Sequence, residues 1–220
     1  ELTAPKDTME WGSGNAGFLI TNSKAKAEEY PTSQADGGLK GKCAKLQTVS
    51  TGSFGKMVNA PIAAGNLFTG TFKIDIMNPA KSTRFGQPFR KMPTRLAGYY
   101  KYKAGAVFTD KYSKEVKGMH DDFAIYAVLY EVTEQVPHLD GTNSLTSDNI
   151  VLKAELTDRK ETDTWTHFVL DFKAVDGRKV DAKKLAEGKY NLAIIMSSSK
   201  DGAIFNGAVG STLYVDEMEL

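Results

Sequence analysis

Residues 122–132 read "DFAIYAVLYEV", and this run decides how the chain folds. It holds no Gly or Pro, is dominated by aromatic and β-branched side chains, and alternates as a strand does. Phe123, Ile125, Ala127 and Leu129 share one face; Asp122, Ala124, Tyr126, Val128 and Tyr130 share the other. The first face belongs to a core. The second is aromatic and only partly polar, so it is either covered by a loop or concave and open to a ligand.

Outward from this run the pattern repeats. "GFLITN" around Phe18, "CAKLQTVS" from Cys43, "NLFTGTFKIDI" from Asn66, "RLAGYYKY" from Arg95, "NIVLKAEL" from Asn149, "THFVLDF" from Thr166, "YNLAIIMSSS" from Tyr190 and "STLYVDEMEL" at the end all read as strands. Glycine- and aspartate-rich clusters such as "TSQADGGLKG" and "SKDGAIFNGAVG" separate them as turns. Two short segments have helical character: "SKAKAEEY" from Ser23, and "DAKKLAEG", which Asp181 caps and Gly188 ends. In "NLFTGTFKIDI" the buried side is assigned to Phe68, Phe72, Ile74 and Ile76, with Lys73 and Asp75 outward. In "STLYVDEMEL" Leu213 and Val215 share one face, and Tyr214, Asp216 and Met218 the other. An all-β chain with frequent turns predicts an antiparallel β-sandwich of the jelly-roll kind, a single domain over residues 1–220.

Charge narrows the partners. Lys+Arg 28 against Asp+Glu 27 gives no net field that would gather nucleic acid or an anionic membrane. Cys43 is the one cysteine, so neither a disulfide framework nor a Cys-x-x-Cys metal site is available, and its neighbours place it inside a strand. No apolar run reaches the length of a membrane span. The start "ELTAPKD" reads as the polar, proline-containing join to a preceding domain, with any signal peptide removed. "GSGNAG" from Gly12 lacks the lysine of a phosphate loop.

"RLAGYYKYKAG", residues 95–105, is the most suggestive stretch for function. Tyr100 and Tyr102 fall on one side, with Leu96 and Gly98; Tyr99, Lys101 and Lys103 fall on the other, with Ala97. Sugars stack their C–H faces on aromatic rings while polar neighbours bond their hydroxyls, so this mixture suits a glycan. Tyrosine also favours strands for packing reasons alone. The lysine places Tyr99 as the more solvent-facing ring and Tyr100 and Tyr102 as half-buried. Trp11, Trp165, Tyr126, Arg95 and Asp122 complete the candidate binding set.

For hydrolysis of a glycosidic bond, a carboxylate pair is required, and Asp122 with Asp110 or Asp171 are the candidates. His120, His138 and His167 stand in no catalytic or metal-binding spacing. Asp216, late in the last strand, would meet Asp7 and Glu10 near the N-terminus, and with backbone carbonyls the three would make a structural calcium site. No other cofactor is expected.

"AAGNLFTGTF" with "NPAKSTRFGQPF", then "PTRLAGYYKYKAG" and "SSSKDGAIFNGAVGSTLYVDEMEL", together resemble the "putative carbohydrate metabolism domain" of exported proteins of gut bacteria. That resemblance covers most of the chain. It implies a C-terminal jelly roll, preceded in many members by an immunoglobulin-like domain, in a secreted, periplasmic or lipid-anchored surface protein. Carried over by position, it marks Asn66, Phe85, Phe89, Thr94, Tyr99, Tyr100, Lys101, Tyr102, Asp122, Tyr126, Ser211 and Asp216 as site candidates, and Gly70, Gly207, Pro88 and Pro93 as structural residues. Lys91 and Met92 stand where an arginine is more usual before the proline, leaving Arg90 or Arg95 to supply that charge. The expected function is non-catalytic glycan binding in polysaccharide use, with a sandwich-type glycoside hydrolase and a surface adhesion or scaffold domain as alternatives.

Overall fold

Alternation along the chain sorts apolar residues into two large antiparallel sheets, beside two small two-stranded ones, seen in a computed structural model that describes residues 9–220. The strands run β1 (Trp11–Gly12), β2 (Thr32–Asp36), β3 (Lys42–Gln47), β4 (Val49–Ser50), β5 (Ile62–Ala63) and β6 (Asn66–Phe72). They continue with β7 (Thr83–Phe85), β8 (Gln87–Phe89), β9 (Arg95–Lys103), β10 (Phe108–Thr109), β11 (Ala124–Glu131) and β12 (Ile150–Glu155). The last are β13 (Thr162–Asp171), β14 (Lys173–Ala174), β15 (Tyr190–Ser197), β16 (Gly207–Ala208) and β17 (Thr212–Glu219). Three short helices are added: α1 (Asn15–Thr21), α2 (Gly52–Met57) and α3 (Ala182–Ala186).

One sheet has five strands in the order β13-β9-β17-β3-β2. The other has eight, in the order β1-β6-β15-β11-β12-β14, with β7 on β6 and β8 on β15. Between the sheets lies a core to which the first contributes Leu46, Leu96, Tyr100, Phe168, Leu213 and Val215, and the second Ile125, Ala127, Ile194 and Met196. The all-β sandwich expected from the sequence is therefore the fold.

The second face of β11 is buried as well. Tyr126, Val128 and Tyr130 pack with Phe68, Phe85, Leu139, Ala193 and Ile195 beneath the segments that follow β6 and β11. Polar bonds fasten this cover. Tyr130 donates from its hydroxyl to the Phe85 carbonyl at 2.6 Å and accepts from Asn191 Nδ2 at 3.1 Å. Tyr126 Oη bonds Ser144 Oγ at 2.8 Å, and burial pushes the Tyr126 hydroxyl up to about 12.

Several elements differ from expectation. "GFLITN" is helical, in α1, because its continuous apolar run has no period-2 alternation and Asn15 ties the first turn to Thr32 through two side-chain bonds. "TSQAD", assigned to a turn, is strand β2, since pairing with β3 along its length outweighs a composition that favours loops. The segment from Ser23 forms only a 3-10 turn at Ala27–Glu29. β6 ends at Phe72, so Ile74 and Ile76 are exposed instead of buried, the latter at 78%. A β-bulge after Asp216, with Glu217 at φ +48°, turns Met218 back into the core against Gly98. The helix at "DAKKLAEG" is as expected: Asp181 Oδ1 accepts from Lys183 N and Lys184 N, and Gly188 at φ +73° follows it.

Candidate functional site

The outward side chains of the five-stranded sheet form rows set by register. Lys101 faces Tyr214, which in turn faces Lys45 on β3. The Lys101 ammonium lies 4.6 Å from the centroid of the Trp165 ring and 5.0 Å from that of Tyr214, so ring, cation, ring and cation follow one another across the sheet. One row along, His167 pairs with Tyr99 and Tyr99 with Asp216. The Tyr99 and His167 rings are 4.7 Å apart. Lys45, Lys101 and Lys103 make no ion pair among the described residues.

Turn 37–41, between β2 and β3, closes one side of this face. Asp216 Oδ2 accepts the Leu39 amide at 2.6 Å, and Trp165 Nε1 donates to the Gly37 carbonyl at 3.2 Å. The turn thereby holds the indole by its polar edge. Under the same cover Cys43 is buried, and desolvation pushes its thiol up.

Tyr100 and Tyr102, each 3% exposed, point the other way, into the intersheet core, where both stack near Phe123. Burial raises the Tyr102 hydroxyl well above the ordinary phenol range, helped by the Asp121 carboxylate. A ligand on the sheet surface reaches Tyr99 and Lys101 but not these two rings. Tyr126 is likewise enclosed, on the eight-stranded sheet. Trp11, 44% exposed, sits on β1 at the edge of that second sheet and is not part of the rows.

The candidate acids are dispersed. Asp122 accepts from Arg159 Nε at 2.6 Å; Asp110 binds the Tyr112 and Lys114 amides of its own turn; Asp171 pairs with Arg95 at 3.6 Å at the end of β13. Of the calcium candidates, Asp216 serves the hairpin turn and Glu10 lies beside β1 with its amide on Gln87, while Asp7 lies outside the described residues. Among the described residues no three His, Cys, Asp or Glu side chains gather to hold a metal.

A buried polar cluster went unread in the sequence. Asp121 accepts from Ser199 Oγ at 2.5 Å, Ser211 Oγ at 2.7 Å and the Ala208 amide at 2.7 Å through Oδ2, and from the Asp122 amide through Oδ1. Thr48 extends it through Ser198 and Ser199. These bonds pin the segment before β11 to the chain between β15 and β17. The adjacent acids in "HDD" carry no signal to separate the buried one from the half-buried one.

On the outer side of the eight-stranded sheet, α1, α2 and the loops after β6, β11 and β15 enclose a cleft of about 790 Å³. Its floor includes Ala124, Tyr126 and Ile195, and its walls are mostly apolar. At its polar end Glu155, Arg159, Lys200 and Asp201 are matched in charge, with Lys153 to Glu155 at 2.9 Å and Lys200 to Asp201 at 2.6 Å.

Comparison with known proteins agrees with this architecture. The sequence family described as "Putative carbohydrate metabolism domain" matches residues 1–220. The chain is similar to a crystal structure described as a putative glycoside hydrolase from Bacteroides thetaiotaomicron VPI-5482, at 53% identity and a TM-score of 0.94. That match covers 100% of this chain and 65% of the other, so the chain spans about two thirds of that relative's length. Another structure described in the same words, from Bacteroides vulgatus ATCC 8482, is 44% identical with a TM-score of 0.90, over 100% of this chain and 88% of the other. No functionally curated protein matches.

Proposed function

The chain belongs to the family described as a "Putative carbohydrate metabolism domain", and on that premise we propose that it binds glycan without cleaving it, on the outer face of the five-stranded sheet. The observation that carries this is the row in which Lys101 lies between the Trp165 and Tyr214 rings beside Lys45, flanked by Tyr99 and His167. Rings on a rigid sheet give flat apolar contact at low entropic cost, and the cations between them supply hydrogen-bond donors. Three lysines without carboxylate partners among the described residues favour sugars that carry an acidic group, such as uronic acids. The domain would then serve polysaccharide use in an exported protein held at the cell surface or in the periplasm, with a lipid anchor and an immunoglobulin-like domain ahead of it.

Support for the non-catalytic reading comes from the acids. A glycosidase needs a proton-bearing carboxyl in apolar surroundings opposite a second carboxylate. Here Asp122, Asp171, Glu155 and Asp201 each already face a cation, and Asp110 holds its own turn. Affinity electrophoresis in gels containing polygalacturonate or a neutral glucan tests the proposal. Retardation by the acidic polymer, weakened by Trp165→Ala and by Lys101→Ala, is expected. Equal mobility of wild type and both variants in every gel, or release of reducing sugar from either polymer, contradicts it.

A further inference from the structure

We propose that the cleft on the eight-stranded sheet is a second binding site, whose ligand is a free fatty acid. Its volume of about 790 Å³ lies in the range of small-molecule sites, and its walls include Phe18, Phe54, Phe72, Ile74 and Leu145. Ile20, Phe54, Val58, Ile74 and Ile76 at its mouth are all exposed, a concentration of apolar surface that a folded domain does not leave in water without a use. Nothing in this lining resembles the ring-and-cation rows of the other sheet. It matches hydrocarbon.

A second concavity, of about 720 Å³, adjoins the cleft and supplies the complement to a carboxylate. Ile74, Asp75, Ile76 and Thr142 line both spaces, so the two adjoin along the loop after β6. Strand β7 is the partition: Thr83 and Phe85 line the cleft, and Arg84, between them, lines the second space. There Arg84 is joined by Lys73, Lys81 and His138, and none of the three permanent cations has an ion-pair partner among the described residues. The two carboxylates present are occupied by their own turns: Asp140 accepts from Thr142 N and Oγ1, and Asp75 from Asn78 N. Thr83 Oγ1 is buried in the cleft wall with no hydrogen-bond partner among the described residues, which leaves a donor next to the partition. An apolar trough bordered by a space with a surplus of cations fits a chain with one anionic end. A flat bilayer would touch only the rim of such a concavity.

Calorimetric titration of the protein with octanoate, decanoate and dodecanoate tests this. Affinity should tighten about fourfold for each added methylene, the factor that corresponds to about 0.8 kcal/mol per buried CH₂. Phe54→Asp, at an exposed position on α2, should weaken dodecanoate at least tenfold. The Lys73→Ala/Arg84→Ala pair should weaken decanoate but not decanol. Trp165→Ala should leave decanoate binding unchanged, so that failure of the glycan proposal and failure of this one are read separately. Affinity independent of chain length, or equal affinity for decanoate and decanol, overturns the assignment. So does binding to anionic vesicles without binding of the free acids, or competition at Arg84 by acidic oligosaccharides but not by decanoate.

Discussion

On the five-stranded sheet the side chains that point away from the core are rings and cations in register: Tyr99, Lys101, Trp165 and Tyr214 half-exposed and His167 exposed. On the eight-stranded sheet the corresponding side chains are Phe68, Tyr126, Val128, Tyr130 and Ile195, and loops cover them. Both surfaces are rich in tyrosine, and both come from the same period-2 alternation. What separates them is the residue next to the tyrosine. Lysine at a neighbouring outward position keeps a sheet face hydrated, whereas valine at that position draws a loop across it, and an incomplete cover leaves a cleft.

That contrast is sharpest within β9, where Tyr99 and Tyr100 are adjacent but face opposite ways. Tyr100→Ala should cost about 3–5 kcal/mol in urea denaturation, as removal of a core aromatic does, and Tyr99→Ala less than about 1 kcal/mol. Equal losses would erase the distinction between the faces. Tyr130→Phe tests whether polar bonds hold the cover on the other sheet. It leaves the Phe85 carbonyl without its donor and should cost about 1–3 kcal/mol, with faster amide exchange of the Phe85 and Leu139 amides. No change in exchange would mean that apolar packing alone holds the loops down.

The smallest effect concerns His138, on the covered side. Burial, and then the nearby Arg84 charge, hold its imidazole below the ordinary 6.5, against the pull of Asp140. The unfolded chain therefore takes up the proton first. Stability from this residue is fully present above pH 6.5 and is lost as pH falls from there through the lowered folded value. His138→Gln should lose less stability over that interval than the wild type, read from urea midpoints at successive pH values; parallel curves would remove His138 from the acid response.

Much of this contrast was legible in the sequence. Alternation placed Tyr99 and Lys101 together and set them against Tyr100 and Tyr102, and it marked the second face of "DFAIYAVLYEV" as covered or concave, which the loops and the cleft bear out. Three things were not legible. Alternation cannot register a bulge, so Met218 was put on the wrong side of β17. A short continuous apolar run such as "GFLITN" carries no period that separates strand from helix, so helix α1, which walls the cleft, is not legible in it. Convergence across the sequence was invisible too: Tyr214 joins Lys101, and Lys73 joins His138, only once strand order is known. The carboxylates proposed for catalysis show the same limit, since Asp122, Asp110 and Asp171 looked alike as letters and occupy three unrelated settings.

The open face is the claim on which the proposed function rests, and Trp165 is its most informative residue. Mobility of wild type, Trp165→Ala and Phe54→Asp in polygalacturonate gels should show retardation for the wild type and Phe54→Asp, and its loss for Trp165→Ala. Stacking worth about 1 kcal/mol corresponds to roughly fivefold in affinity. Retardation lost in Phe54→Asp and kept in Trp165→Ala would move glycan binding to the cleft and contradict the account.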